Sequence, residues 1–147
     1  METVKREKER IIQAIYSGRN IQNALVEEYT SIDSEIYQIE QALKTIDFLE
    51  KSKDPVETFL PIAGHAFVPA VVQHPDKITV AIAKDVLVET TPVEARRILK
   101  KRRSRLEASA KEIEKALKDI NSRLENLVMR YQMLERQEKG RKPPKPT

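Results

Sequence analysis

The sequence predicts a mainly α fold with a small β region: an antiparallel two-helix coiled-coil hairpin joined by two β-hairpins that form an oligomerisation platform. Three observations lead there. Apolar residues recur at alternating steps of four and three in the first and last thirds of the chain. The two recurrences have equal numbers of steps, so the arms match in length when one folds back on the other. Between them lie short β-branched and apolar runs separated by turn residues.

The first arm reads Ile11, Ile15, Gly18, Gln22, Leu25, Tyr29, Ile32, Ile36, Ile39, Leu43 and Ile46, apolar at all but Gly18 and Gln22. A mean step of about 3.5 residues is that of a left-handed coiled-coil seam. The predicted helix covers about 4–51 and stops before Pro55, after the weak helix formers Ser52 to Asp54.

The second arm reads Leu99, Arg103, Leu106, Ala110, Ile113, Leu117, Ile120, Leu124, Leu127, Tyr131 and Leu134, apolar at all but Arg103. Its predicted helix covers about 92–138. Thr91 is placed to cap it, Pro92 suits the first helical position, and Glu94 can return a bond to the cap. Residues 1–138 form a single domain. Gly140, Pro143, Pro144 and Pro146 mark 139–147 as a basic, Pro-rich tail expected to be extended and disordered.

Folded back, Ile46 faces Leu99, Ile32 faces Ile113, Ile11 faces Leu134, and Gly18 lies opposite Leu127. Each arm is roughly 65–75 Å long at about 1.5 Å per residue. Parallel pairing of either arm with itself is the alternative, and the matched lengths favour the hairpin.

The β region spans about 58–90. Residues 58–62 and 66–72 flank a turn at Ala63, Gly64 and His65, and residues 77–83 and 86–89 flank Lys84 and Asp85. Ile78, Val80 and Ile82 alternate as a one-sided strand should. The run 66–72 is apolar on both faces and calls for cover on both. Pro69 removes a ladder donor and points to an edge or a bulge. An incompletely covered sheet is a template for pairing with other chains. The expected oligomerisation residues are therefore Phe67, Val68, Val71, Ile78, Val80, Ile82, Val86 and Val88.

Composition agrees with long helices rather than a compact globule: 34% of residues are charged, 5% are aromatic and there is no Trp. The absence of Cys excludes a disulfide framework, a thiolate metal site and a Cys nucleophile. Met1 to Arg10 are charged with no apolar core after them, and no apolar run approaches a membrane span, so a cytoplasmic protein without a membrane partner is expected. No enzyme, cofactor or metal site is expected. Gly18, Gly64 and Gly140 are too scattered for a phosphate loop, and His65 and His74 lack an obvious carboxylate partner.

The net charge of +4 equals the four basic residues of the tail (Lys139, Arg141, Lys142 and Lys145), so 1–138 sums to zero and the high pI says little about nucleic acid. One basic run remains, at Arg96, Arg97, Lys100, Lys101, Arg102, Arg103 and Arg105. It reads as a solvated face, as a contact for an acidic neighbouring subunit, or as a nucleic-acid site.

Apolar residues off the seam show where else the arms can bind. Residues 27–47 offer only Tyr37 and Ala42, and 105–126 only Ala108 and Ala116. Near the free ends stand Ile12, Tyr16, Ile21 and Val26 on one arm and Val128, Met129 and Met133 on the other. Exposed apolar patches usually mark interaction, and Met adapts to varied partners. Ile12, Tyr16, Ile21, Val128, Met129 and Met133 are thus candidate client-binding residues at the coiled-coil tips. The competing reading has them packed on each other or on a neighbouring arm.

Helix, β-hairpins and capped helix in this order, with Leu60-Pro61-Ile62 through Phe67-Val68-Pro69-Ala70 and Asp76-Lys77-Ile78 through Val88-Glu89-Thr90-Thr91-Pro92-Val93-Glu94-Ala95, resemble the α class of prefoldin subunits. Lys84-Asp85 stands where that family often has glycine-rich turns, and the basic tail is a second departure. The resemblance implies a hetero-hexamer of two α-class and four β-class subunits. Its strands would join into a double-barrel base from which six coiled coils hang. It further implies an ATP-independent holdase that captures unfolded client proteins and passes them to a group II chaperonin. The alternative is a nucleic-acid-binding or purely structural coiled-coil arm.

Overall fold

The computed structural model describes residues 2–140. Its elements follow the predicted order: α1 (Glu2–Lys51), β1 (Val56–Ala63), β2 (Ala66–Val72), β3 (Ile78–Ala83), β4 (Val86–Thr90) and α2 (Pro92–Gly140). Lys139 and Gly140 are the last residues of α2, and the tail beyond them, 141–147, lies outside the described residues.

The chain divides into two compact units. A terminal unit holds the residues up to 33 with those from 109 on, and a hairpin unit holds 34–108. Within each unit α1 and α2 run antiparallel along the seam, so the fold is the predicted coiled-coil hairpin with two β-hairpins between its helices.

The seam is where the burial falls. In the terminal unit the buried apolar residues are Ile11, Ile113 and Leu134, all of them seam positions. In the hairpin unit Ile39, Leu43, Ile46, Val80, Ala95 and Leu99 form one cluster, with Ala42, Ile78, Ile98 and Leu106 packed against it. Ala95 lies one four-residue step before Leu99 and extends the seam. Fully burying a Leu or Ile contributes about 1.5–3 kcal/mol before entropy is subtracted, so these layers hold the helices together.

The register of the terminal unit differs from the expected one. A Cβ on Gly18 would stand 2.6 Å from Leu124 Cδ2 and 3.6 Å from Ile120 Cδ1, so Gly18 opposes Leu124 rather than Leu127. A seam pattern alone permits a shift of one step, because nearly every step is apolar. Polar partners across the arms accompany it: Gln22 Nε2 donates to Asn121 Oδ1 at 2.5 Å and Tyr29 donates its hydroxyl to Glu114 at 3.0 Å. Asn121 and Glu114 stand on the exposed flank of α2 beside the seam, so these bonds run alongside the apolar layers rather than through them.

The start of α2 is capped as predicted, with the Glu94 amide donating to Thr91 Oγ1 at 3.3 Å. The Glu94 side chain does not turn back to the cap. It takes Arg97 instead, at 3.0 and 3.1 Å from Nε to its two oxygens and with a further bond from Nη2. A charge-assisted pair of this kind is roughly twice as strong as a neutral bond.

The β region is two separate two-stranded antiparallel sheets, β1 with β2 and β3 with β4. Gly64 turns the first at φ 51°. Asp85 turns the second at φ 65°, a left-handed conformation that Asp tolerates better than most residues, which is how the chain does without the family's glycine here. Each ladder shifts register just before its turn, between Pro61 and Ala63 and between Ala81 and Ala83.

Candidate protein-interaction surfaces

The β1–β2 hairpin presents apolar side chains on both faces. Its register pairs Phe59 with Pro69 and Pro61 with Phe67 on one face, and Thr58 with Ala70 and Leu60 with Val68 on the other. Phe59 is 71% exposed, Phe67 60%, and Leu60, Ile62, Val68 and Val71 are exposed as well. Glu57, Thr58, Phe59, Pro69, Ala70 and Val71 line one open cavity on it.

The β3–β4 hairpin behaves differently. Val80 and Ile78 were expected among the oligomerisation residues. Val80 is buried in the hairpin unit's own core and Ile78 packs against that core, so neither is free for a partner. The strand's alternation points one face at the helices, and that face is consumed. Ile82, Val86, Val88 and Leu87 remain exposed. Arg102 of α2 donates to the Ala81 carbonyl at 2.6 Å and ties β3 to the helix.

Sequence reasoning passed over several exposed residues: Phe59, Leu60 and Ile62 of β1, Leu87 of β4, and Phe48 near the end of α1. The signal for the β1 set was available, since a hairpin whose second strand is two-faced needs a two-faced first strand. Phe48 lies one residue beyond the off-seam stretch 27–47.

In the terminal unit all six candidate tip residues are exposed, with Tyr16 the most at 71%. They do not form one patch. Val128 and Met129 line an open groove with Arg19, Gln22, Asn121, Leu124 and Glu125. Ile21 lines a second, smaller cavity with Gly18, Ile120, Leu124 and Leu127, which shares Leu124 with that groove. Ile12 and Ile21 are nine residues apart, which at about 3.6 residues per turn puts them on opposite flanks of α1. The apolar residues are therefore spread around the unit.

Ion pairs close the ends of both units. Lys8 bonds Glu138 at 2.8 Å and lies 5.1 Å from the Tyr131 ring centroid, and the bond to Glu138 raises its pKa above the usual lysine range. Arg130 bonds Glu7 at 3.0 Å. In the hairpin unit Arg96 reaches both Glu50 and Asp47 of α1, and those bonds, Glu50 first, raise its pKa. Glu50, an acid in the last turn of α1, opposes the helix dipole, and its pairing with Arg96 offsets this. The bond to Glu114 pushes the Tyr29 phenol upward, while the bond from Arg97 holds the Glu94 carboxyl below its usual range.

Among the described residues no helix is long and apolar enough to cross a membrane, and no group of three or more His, Cys, Asp or Glu could hold a metal ion.

Comparison with known proteins matches this arrangement. Residues 19–137 fit the family model described as prefoldin subunit. The chain is 33% identical over 102 residues to prefoldin subunit alpha of Methanoregula boonei, covering 69% of this chain and 66% of that protein. It is 30% identical over 115 residues to prefoldin subunit alpha of Methanosarcina acetivorans, covering 76% of each. A 65-residue match to the Methanococcus maripaludis C5 subunit reaches 42% identity but spans 44% of this chain and 43% of that one. Among solved structures, a chain from the cryo-EM structure of filamentous PFD of Methanocaldococcus jannaschii superposes with a TM-score of 0.67. That match covers 80% of this chain and 97% of the other at 20% identity, and it shows the shared fold. The chain belongs to the prefoldin family, and within it to the archaeal alpha type.

Proposed function

We propose that the chain is one α-class subunit of an ATP-independent holdase, a single prefoldin-like domain over 1–138 followed by its basic tail. In this reading the β-hairpins join it to β-class prefoldin subunits in a cytoplasmic hetero-hexamer of two α and four β chains. The exposed apolar side chains of the terminal unit grip unfolded clients, which pass to a group II chaperonin. The observation that carries the reading is that two sets of exposed apolar residues belong to two different compact units. One set can be covered by assembly while the other stays open. The scatter of Ile12, Tyr16, Ile21, Val128, Met129 and Met133 suits clients that present no fixed shape.

The test is to co-express the chain with a β-class subunit and measure light scattering of a denatured protein diluted into the purified complex without nucleotide. Suppressed aggregation is expected. Ile12→Ser, Tyr16→Ser and Met133→Ser together should weaken suppression and leave assembly intact. Unchanged suppression by the triple variant would remove the client role from these residues.

A further inference from the structure

The basic run at 96–105 is only partly used by the fold. Arg96 is taken by Asp47 and Glu50, Arg97 by Glu94, Arg102 by the Ala81 carbonyl, and Arg103 stands 3.7 Å from Glu107. Lys101 and Arg105 make no such contact among the described residues. Arg97, Lys101, Arg102 and Arg105 nevertheless line one cavity of about 290 Å³ with Ile82 and Ile98, all of them in the hairpin unit.

The spacing makes this a row rather than a scatter. Arg97, Lys101 and Arg105 are four residues apart, so they stand one above the other on a single face of α2, roughly 5–6 Å between neighbours. No acid lines the cavity, and Glu94, the partner of Arg97, is not among its lining residues. The cavity also has an apolar side. Ile82, at the register shift of β3, is 48% exposed, and Ile98 is half-buried beside it.

We propose that this cavity docks an acidic segment of a partner protein in which carboxylates flank an apolar side chain. The carboxylates complement Lys101 and Arg105, whose charges the fold leaves open, and the apolar side chain covers Ile82 and Ile98. The isoleucines decide against a phosphate polymer, which has nothing to set against them. The absence of any aromatic side chain from the lining decides against a single-stranded nucleic acid, whose bases stack on such rings.

The test is fluorescence anisotropy on the full chain with a fluorescein-labelled peptide of alternating glutamate and leucine. A second peptide has serine in place of leucine, and inorganic polyphosphate serves as competitor. Binding of the Glu-Leu peptide is expected to weaken with added salt. The K101E/R105E variant should weaken it roughly tenfold with an unchanged melting curve, since neither residue holds the fold together. I82S should weaken the Glu-Leu peptide several-fold and leave the Glu-Ser peptide as it was. No binding by the native chain, or equal binding by K101E/R105E, overturns the proposal. So does polyphosphate that binds more tightly than either peptide and is insensitive to I82S, since the cavity is then a general polyanion site.

Discussion

The two β-hairpins are built alike and used differently. Both are two-stranded, antiparallel and closed by a short turn with a register shift before it. The β3–β4 hairpin buries Val80 and Ile78 in the core of its own unit and is tied to α2 through Arg102. The β1–β2 hairpin buries nothing of β1 beyond a half-buried Val56, and aromatic side chains stand open on it. An isolated two-stranded hairpin is marginal in water. The helices supply what β3–β4 lacks, and among the described residues nothing supplies it for β1–β2. Apolar content alone does not separate an anchored hairpin from an offered one. What separates them is which strand's alternation meets the helix seam.

The largest effect expected from this contrast is on stability. Val80→Asp places an unpaired carboxylate in the hairpin-unit core and should cost about 3 kcal/mol or more. Val68→Asp, on the open hairpin, should change the isolated chain by less than about 0.5 kcal/mol. Urea melts of both variants measure the difference, and equal losses would erase the distinction between the hairpins.

Next in size is assembly. Phe59→Ser with Phe67→Ser removes the two large aromatics of the open hairpin and should weaken association with a β-class subunit by about 2 kcal/mol or more. The urea midpoint of the chain alone should not move. Analytical ultracentrifugation reads the association, and full assembly by this variant would place the interface elsewhere.

The smallest effect is on pH. Glu94, just after β4, has a lowered folded-state pKa because of its bond from Arg97. Its contribution is present above the ordinary carboxylate value and is lost as pH falls through the lowered one. Exchange-protected amides at the start of α2 should therefore weaken in acid below about pH 4.5, the usual glutamate range. Those of β1–β2 should not follow, which hydrogen exchange can resolve segment by segment.

Much of this was legible in the sequence, for physical reasons. A repeat near 3.5 residues admits few structures, and Ile11, Ile39, Leu43, Ile46, Leu99, Ile113 and Leu134 are buried where it placed them. The Thr91 cap was legible because its chemistry is local. The Gly18–Leu124 register was not, since a nearly uniform apolar repeat reads the same when it slips by one step. Nor was the fate of Val80. An alternating strand shows that it has a buried face but not whether its own helices or a partner cover it. Glu94 was misplaced because a sequence shows the cap it could serve and not the competition from Arg97.

Pro61 and Pro69 have one more consequence. Neither has an amide hydrogen, so each fits the ladder only with its nitrogen turned away from the opposite strand. Their pairs, Pro61 with Phe67 and Phe59 with Pro69, are two steps apart in the ladder, so both nitrogens point outward, one from each strand. Each free edge of the hairpin is thus one donor short near its middle. A stray strand that zips onto either edge forgoes a hydrogen bond worth about 1 kcal/mol. A newly made copy can therefore wait for its partners with sticky faces bare while its edges resist growth into fibrils.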